Sequence, residues 1–328
     1  MKYVQFGKTG LAASAIGLGC WSLARAPPDV GHQLVRQALD LGVTLFDTAD
    51  NYGLGRSEEI LGAALEGRRH HVVVATKVGN FGRGEGVTLA YSSPHEIFLC
   101  CDASLQRLRT DYIDLYQCHI ADPPHEEVFL EAFSRLRERG KIRGFGISTG
   151  TVNGGKRRSV EVLRSFNAGG DCGLCQLEYN MTGRPDPITR KYDPTDSPET
   201  DLLPYCAGSG IGTLVRGPLL QGLLSGGYDP ARDRAGHPTR GRWGEREQAA
   251  RRDQLLQFVD QVRFLQRPDR TLGQAALQFV LAHPGVSVAI PGASRPEQLR
   301  ANVAAAGAIL SDGELRHIRE VRAGINWL

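Results

Sequence analysis

The chain is short of the features that mark membrane, secreted or nucleic-acid-binding proteins. No apolar run approaches the roughly 20 residues that span a bilayer. The N-terminus, Met1-Lys2-Tyr3-Val4-Gln5-Phe6-Gly7, lacks a signal-peptide core. The expectation is a cytoplasmic protein with no membrane contact. An excess of one charge is missing too: 39 basic and 36 acidic residues leave a formal net charge of +3, and arginine is concentrated only from Arg232 to Arg252. That gives no electrostatic case for nucleic acid. The seven cysteines are an odd number. Cys20, Cys100, Cys101, Cys118, Cys175 and Cys206 sit inside apolar segments, as reduced core residues do. Cys172 and Cys175 form a Cys-x-x-Cys pair, but no second pair follows at zinc spacing and no helix begins at Cys175 as a thioredoxin-like site needs. No metal site is expected.

What is present is an ordinary globular composition, 41% hydrophobic and 23% charged over 328 residues, in which short β-branched runs alternate with amphipathic helical patterns. Strands are expected to begin near Ala15, Thr44, Val72, Ile113, Gly144, Leu174, Gly212 and Val286. Helical segments are expected near Asp29 to Leu41, Ser57 to Leu65, Pro94 to Leu108, Pro124 to Arg139, Ser159 to Phe166, Asp201 to Ala207, Thr271 to Ala282 and Pro296 to Ala306. Eight such pairs fit an α/β fold of the (β/α)8 TIM-barrel class better than an open sheet. No GxGxxG follows the first strand, which argues against a Rossmann domain. Tyr3 to Phe6 and Leu11 to Ser14 flank Gly7-Lys8-Thr9-Gly10 and read as a β-hairpin plugging the barrel floor. A last helix from about Asp312 to Val321 packs outside. No interdomain linker is visible, so residues 1–328 read as one domain. The loops Met181 to Glu199 and Gly222 to Glu245 are longer than a barrel requires and should open on the active face.

In a barrel strand alternate side chains point inward, so a residue ending a strand on that face reaches the mouth. Asp47 ends Thr44-Leu45-Phe46-Asp47, Lys77 ends the run from Val72, and His119 ends the run from Ile113 with Gln117 on the same face. Tyr52 follows Asp47 by five residues. A phenol titrates near 10, so it donates a proton weakly at neutral pH unless a cation stabilises the phenolate. Lys77 can supply that charge, Asp47 can hold the ammonium, and His119 can hydrogen-bond the same carbonyl oxygen as the phenol. Taken singly, each of these is more simply a buried ion-pair partner; together they point to a tyrosine acid protonating an alkoxide as it forms.

These residues resemble the aldo-keto reductase family. The phrases that carry the resemblance are Gly17-Leu18-Gly19-Cys20-Trp21, Phe46-Asp47-Thr48-Ala49-Asp50-Asn51-Tyr52-Gly53, Thr76-Lys77-Val78-Gly79, Asp111 to Gln117, Gly140-Lys141-Ile142-Arg143-Gly144, Gln176-Leu177-Glu178-Tyr179-Asn180 and Ile290-Pro291-Gly292-Ala293-Ser294. The wider pattern is similar to the inositol-dehydrogenase-like and potassium-channel β-subunit branches. The resemblance implies NADP(H) bound across the barrel mouth, hydride delivered from the nicotinamide, and a small carbonyl substrate. It implies Tyr52, Asp47, Lys77 and His119 as the catalytic residues. It implies Cys20, Trp21, Asp47, Ser148, Gln176, Arg216, Gly217 and Leu219 as cofactor-binding residues, with Ser148 and Gln176 on the nicotinamide carboxamide, and likewise Gly292, Ser294, Arg295, Gln298 and Asn302, with Gln298 and Asn302 lining the adenosine pocket. Chemistry alone supports part of the latter: Gly292 lets backbone approach a phosphate, and Ser294 with Arg295 offers a hydroxyl and a guanidinium for a 2′-phosphate. Thr149 stands where the family commonly has asparagine, Arg216 where many members stack an aromatic, and Ala301 where a glutamate is often found.

Two other functions compete with a reductase. One is a Schiff-base lyase using Lys77, which Asp47 opposes by keeping the amine charged. The other is an NADPH-binding regulatory module with weak turnover. Arg184, Arg190, Lys191 and Trp243 in the long loops suit an anionic or sugar-linked substrate, or are simply solvated loop residues.

Overall fold

The computed structural model describes residues 1–82, 89–149, 157–184, 193, 195–228 and 246–327. Two strands, β1 (Tyr3–Gln5) and β2 (Ala12–Ser14), pair antiparallel as the expected hairpin. Eight further strands follow: β3 (Leu18–Gly19), β4 (Leu45–Asp47), β5 (Val73–Val78), β6 (Ile113–Cys118), β7 (Ile142–Ser148), β8 (Leu174–Glu178), β9 (Gly212–Arg216) and β10 (Val288–Ala289). They form one parallel sheet in sequential order. Parallel bridges Ile16 to Ala289 and Gly19 to Gly292 join its two ends, so the sheet closes into a barrel.

The described α-helices are α1 (Pro28–Asp40), α2 (Arg56–Ala64), α3 (Pro94–Leu108), α4 (Glu126–Glu138), α5 (Ser159–Phe166), α6 (Leu203–Gly208), α7 (Arg246–Gln261), α8 (Leu272–Ala282), α9 (Pro296–Ala304) and α10 (Asp312–Gly324). Local chemistry starts several of them. Ser93 and Glu96 form a capping box at α3 with Pro94 in the first turn, and Thr271 with Gln274 and Ser311 with Glu314 do the same at α8 and α10. Helix α7 is the element that the sequence reading left unassigned. Its buried apolar residues, Leu255, Phe258 and Val259, fall in its second half, so the helical period runs for too few turns to stand out.

Alternation along the strands separates two cores. Phe46, Val74, Tyr116, Phe145 and Ile147 face outward into a helix-facing layer that includes Phe129, Phe133 and Phe166. Leu45, Val73, Leu115, Leu174, Leu214 and Val288 point inward. Phe6 joins the inward group, fully buried, and so the hairpin closes the floor of the barrel. The fit is close: a Cβ on Gly212, the first residue of β9, would stand 2.4 Å from the Phe6 ring. The apolar floor leaves polar inward residues only toward the opposite, C-terminal end of the strands.

Phe6→Ala should therefore destabilise the whole domain by about 3–5 kcal/mol, as deletion of a fully buried aromatic does. The readout is a lower urea midpoint with unchanged slope. Tyr3→Ala, on the same hairpin but exposed, should move the midpoint by no more than about 0.5 kcal/mol. An unmoved midpoint for Phe6→Ala would remove the hairpin from the core.

Candidate active site

The polar inward residues meet at the C-terminal mouth. Lys77, near the end of β5, is fully buried, and its Nζ donates to Asp47 Oδ2 at 2.8 Å, to the Thr48 carbonyl at 2.7 Å and to the Tyr52 hydroxyl at 3.3 Å. An ammonium has three N–H groups, and these acceptors engage all of them. Asp47 Oδ1 accepts from Gln176 Nε2 at 2.7 Å and from Gln117 Nε2 at 3.2 Å, while Ser148 Oγ donates to Gln176 Oε1 at 3.4 Å. One hydrogen-bonded chain thus runs from Ser148 through Gln176, Asp47 and Lys77 to Tyr52. The half-buried His119 follows β6 and meets the Tyr52 ring edge-on, with centroids 6.2 Å apart. The structure brings Asp47, Tyr52, Lys77 and His119 together, with Gln117 and the Thr48 carbonyl bonded to two of them.

A tight turn aims Tyr52. Its amide donates to the Ala49 carbonyl at 3.2 Å, and φ is positive at Gly53 (62°), Leu54 (54°) and Gly55 (96°) before α2 begins. At Gly55 this conformation is coupled to close approach, since a Cβ would lie 2.5 Å from Arg107 Cδ.

The electrostatics depart from the sequence expectation in one respect. Burial pushes the Tyr52 phenol above its ordinary value, and the Lys77 ammonium pulls the other way without cancelling it. For Lys77, burial alone would lower the value, but Asp47 and Tyr52 outweigh it and hold the ammonium above its ordinary range. At neutral pH both groups keep their protons.

Around this centre the remaining candidates divide. Cys20 is fully buried with its Sγ on the Leu18 carbonyl, and Trp21 is 37% exposed with the Arg25 guanidinium 3.8 Å above its ring. Arg216 ends β9 opposite Glu178 of β8, and its guanidinium donates to Glu178 Oε2 at 3.1 Å and to the Thr149 carbonyl at 2.7 Å. The family resemblance places Arg216 beside the cofactor where many members have an aromatic; its pairing with Glu178 was missed, although both residues end neighbouring strands. The Thr149 hydroxyl donates to the Gln176 carbonyl at 3.2 Å. Gly217 adopts φ 65°, and the half-buried Leu219 packs against the core.

At the far end, Ser294 donates from both its amide (2.9 Å) and its Oγ (3.0 Å) to Gln298 Oε1, and Asn302 Nδ2 donates to the Gly292 carbonyl at 3.3 Å. A Cβ on Gly292 would meet only the Gly19 carbonyl oxygen, at 3.8 Å. Helix α9 starts with no side-chain cap, beside the exposed Arg295. Of the loop residues weighed for substrate, Arg184 lies with its guanidinium 5.0 Å above the Trp327 ring. Arg190, Lys191 and Trp243 lie outside the described residues. Cys172 and Cys175 are free and buried, and burial raises the Cys172 thiol to about 12. Among the described residues no helix is long and apolar enough to cross a membrane.

The sequence profile of the aldo/keto reductase family matches residues 15–323. The aldo-keto reductase YhdN of Bacillus subtilis is 32% identical over 98% of this chain and 93% of its own length. The NADH-specific methylglyoxal reductase of Escherichia coli is 31% identical over 98% of both chains. Among solved structures, an aldo-keto reductase from Klebsiella pneumoniae in complex with NADPH superposes with a TM-score of 0.73 at 28% identity, covering 97% of this chain and 94% of that one.

Because Lys77 is buried with its charge matched by Asp47, removing Asp47 alone should cost about 3–5 kcal/mol at pH 7. Asp47→Ala combined with Lys77→Met should recover most of that loss, since the stranded charge is gone. Urea denaturation of the wild type and the two variants checks this, and equal losses in the single and double variants would contradict it. The raised Lys77 value adds stability that is fully present below its ordinary 10.5 and is lost as pH rises through the higher folded value.

Proposed function

The chain belongs to the aldo/keto reductase family, and from that membership and the geometry of the mouth we propose that it reduces small aldehydes, ketones or keto-sugars with NADP(H), Tyr52 being the proton donor. The observation that carries the proposal is the Tyr52 hydroxyl 3.3 Å from a buried ammonium that Asp47 holds in place.

The far end of the mouth fits a dinucleotide. Open backbone at Gly292 gives a phosphate room to approach. The uncapped start of α9 presents first-turn amides to an anion, and Arg295 stands beside it for a 2′-phosphate. In this reading Gly292, Ser294, Arg295, Gln298 and Asn302 hold the adenosine end. Asp47, Ser148 and Gln176, with Cys20, Trp21, Arg216, Gly217 and Leu219 around them, hold the nicotinamide end. When bound, NADPH supplies the hydride.

The chain's own residues then handle the proton. The substrate carbonyl oxygen accepts a hydrogen bond from the Tyr52 hydroxyl and a second from His119. As negative charge grows on that oxygen, its proton affinity passes that of the phenol and the Tyr52 proton moves to it. The phenolate left behind faces Lys77, which stabilises it at the moment it forms. A phenol held above its ordinary value in the resting site therefore suits a donor that must stay loaded at neutral pH. In the oxidising direction the same phenolate accepts the proton. The lyase reading loses support, because Lys77 has all three N–H groups engaged and is held as an ammonium, so it offers no lone pair for a Schiff base.

Purified protein should oxidise NADPH in the presence of a panel of small carbonyl compounds. Tyr52→Phe should lower kcat by about 10²–10⁴-fold with cofactor affinity unchanged. Full turnover in Tyr52→Phe would unseat the acid, and tight NADPH binding without turnover on any member of the panel would favour the regulatory module.

Arg295→Ala should weaken NADPH binding by about 10–100-fold, the worth of a charge-assisted hydrogen bond. NADH affinity should change by no more than about two-fold, because NADH has no 2′-phosphate for the guanidinium to meet. Fluorescence titration with both nucleotides measures the difference. Equal losses for the two would detach Arg295 from the 2′-phosphate.

A further inference from the structure

Behind the mouth lies a second carboxyl that the chemistry above does not use. Asp50 is 1% exposed, and no side chain among the described residues donates a hydrogen bond to either of its carboxyl oxygens; the amide of its chain neighbour Asn51 lies near them. The contrast with its neighbour Glu58 is direct. Glu58 is also fully buried, but its Oε1 accepts from Thr76 Oγ1 at 2.6 Å and its Oε2 from Arg107 Nε at 2.7 Å. Glu58 is near enough to oppose ionisation of Asp50, and the Arg107 guanidinium beside them is bound to Glu58.

The position of Asp50 in the chain matters as much as its burial. The turn that aims Tyr52 is closed by the Tyr52 amide on the Ala49 carbonyl, and Asp50 and Asn51 are its two central residues. Because Asp50 belongs to that turn, a displacement of its backbone is passed to Tyr52 two residues on, whose phenol stands 3.3 Å from Lys77.

We propose that Asp50 is a positioning residue for Tyr52: as the buried neutral acid it packs the turn in the geometry seen here, and on ionising it draws the turn toward water and withdraws the phenol from Lys77. The turnover half of this statement rests on the function proposed above; the protonation half does not.

The surrounding charges agree. Glu58 on α2 opposes ionisation of Asp50, while Arg107 on α3, the Asn51 amide and Lys77 on β5 favour it. Cys100 on α3, Tyr91 before α3 and Tyr116 on β6 complete the surroundings as neutral groups, each pushed up by burial first and by Asp50 in part. Burial, then Glu58, prevails, and Asp50 is raised from 3.8 to about 7. An acid raised in the folded state binds its proton more tightly there than in the unfolded chain. Stability is therefore lost progressively as pH rises from the ordinary carboxyl range to about 7, and the loss is complete above that.

Asp50→Asn keeps the shape and removes the titration. In the wild type, kcat/KM for a carbonyl substrate should fall as pH rises through about 7, and in Asp50→Asn that step should be absent. The melting temperature of Asp50→Asn minus that of the wild type should grow from the ordinary carboxyl range up to neutrality and then level off. A step that survives in Asp50→Asn, or a melting difference independent of pH, overturns the proposal. The melting curves need neither substrate nor cofactor, so they report on Asp50 even if Tyr52→Phe shows that the acid was wrongly assigned. Should Asp50→Asn not fold, infrared difference spectra of the wild type decide: the band of a protonated carboxyl should titrate away near neutrality, and Asp50→Ser should lack it. A wild type without that band overturns the proposal as well.

Discussion

The arrangement of the mouth follows from burying one ammonium. Lys77 has no contact with solvent, and an unmatched charge in such a place would deprotonate or pull the barrel open. Its three N–H groups therefore fix three acceptors in space: a carboxylate from the end of β4, a backbone carbonyl one residue later, and a phenol from the turn that follows. The carboxylate in turn has an oxygen to satisfy, and Gln117 of β6 and Gln176 of β8 supply the donors. Ser148 of β7 then closes on Gln176. Five consecutive strands, β4 to β8, are registered against one another by a single polar network.

That network needs the rest of the barrel to be apolar. The inward residues one layer down are Leu, Val and Ala, and Phe6 seals the floor beneath them. Water cannot reach the ammonium from below, so the charges at the mouth act in a medium where electrostatic interactions are strong. The same dryness accounts for the direction in which Tyr52 moves. Loss of hydration acts on the phenolate more than the neighbouring ammonium can restore in the resting site.

Much of this was legible in the sequence because it depends on two short periods. Asp47 and Lys77 at strand ends and His119 just past one stand out by alternation, and all eight strand starts lie within a few residues of the β-branched runs that suggested them. Helices with explicit start signals, such as Ser93-Pro94 and Thr271, were equally readable. What could not be read depends on proximity across the fold. The pairing of Arg216 with Glu178 needs the register of β8 against β9. The upward shift of Tyr52 needs its burial, and the difference between Asp50 and Glu58 needs to show which of them Arg107 reaches. Helix α7 was hidden because its apolar face is short, and the 3-10 turns Cys20–Arg25 and Leu220–Ser225 because such turns have no sustained period to detect.

The two ends of the mouth are built on opposite plans. At the Tyr52 end each charge is already matched: the ammonium has its acceptors and Asp47 has its donors, so little need reorganise when a reaction begins. At the α9 end the chain leaves groups open, with helix amides lacking a side-chain cap, backbone exposed at Gly292 and a guanidinium in solvent. The Ser294 hydroxyl there is turned onto Gln298, a contact that a ligand can exchange for its own. A site finished by its own residues loses nothing by waiting, whereas one finished by its ligand gains affinity from each group left open. The matched charges around Lys77 and the open groups at the start of α9 are thus two consequences of one rule: buried charge must be matched within the fold, and exposed charge need not be.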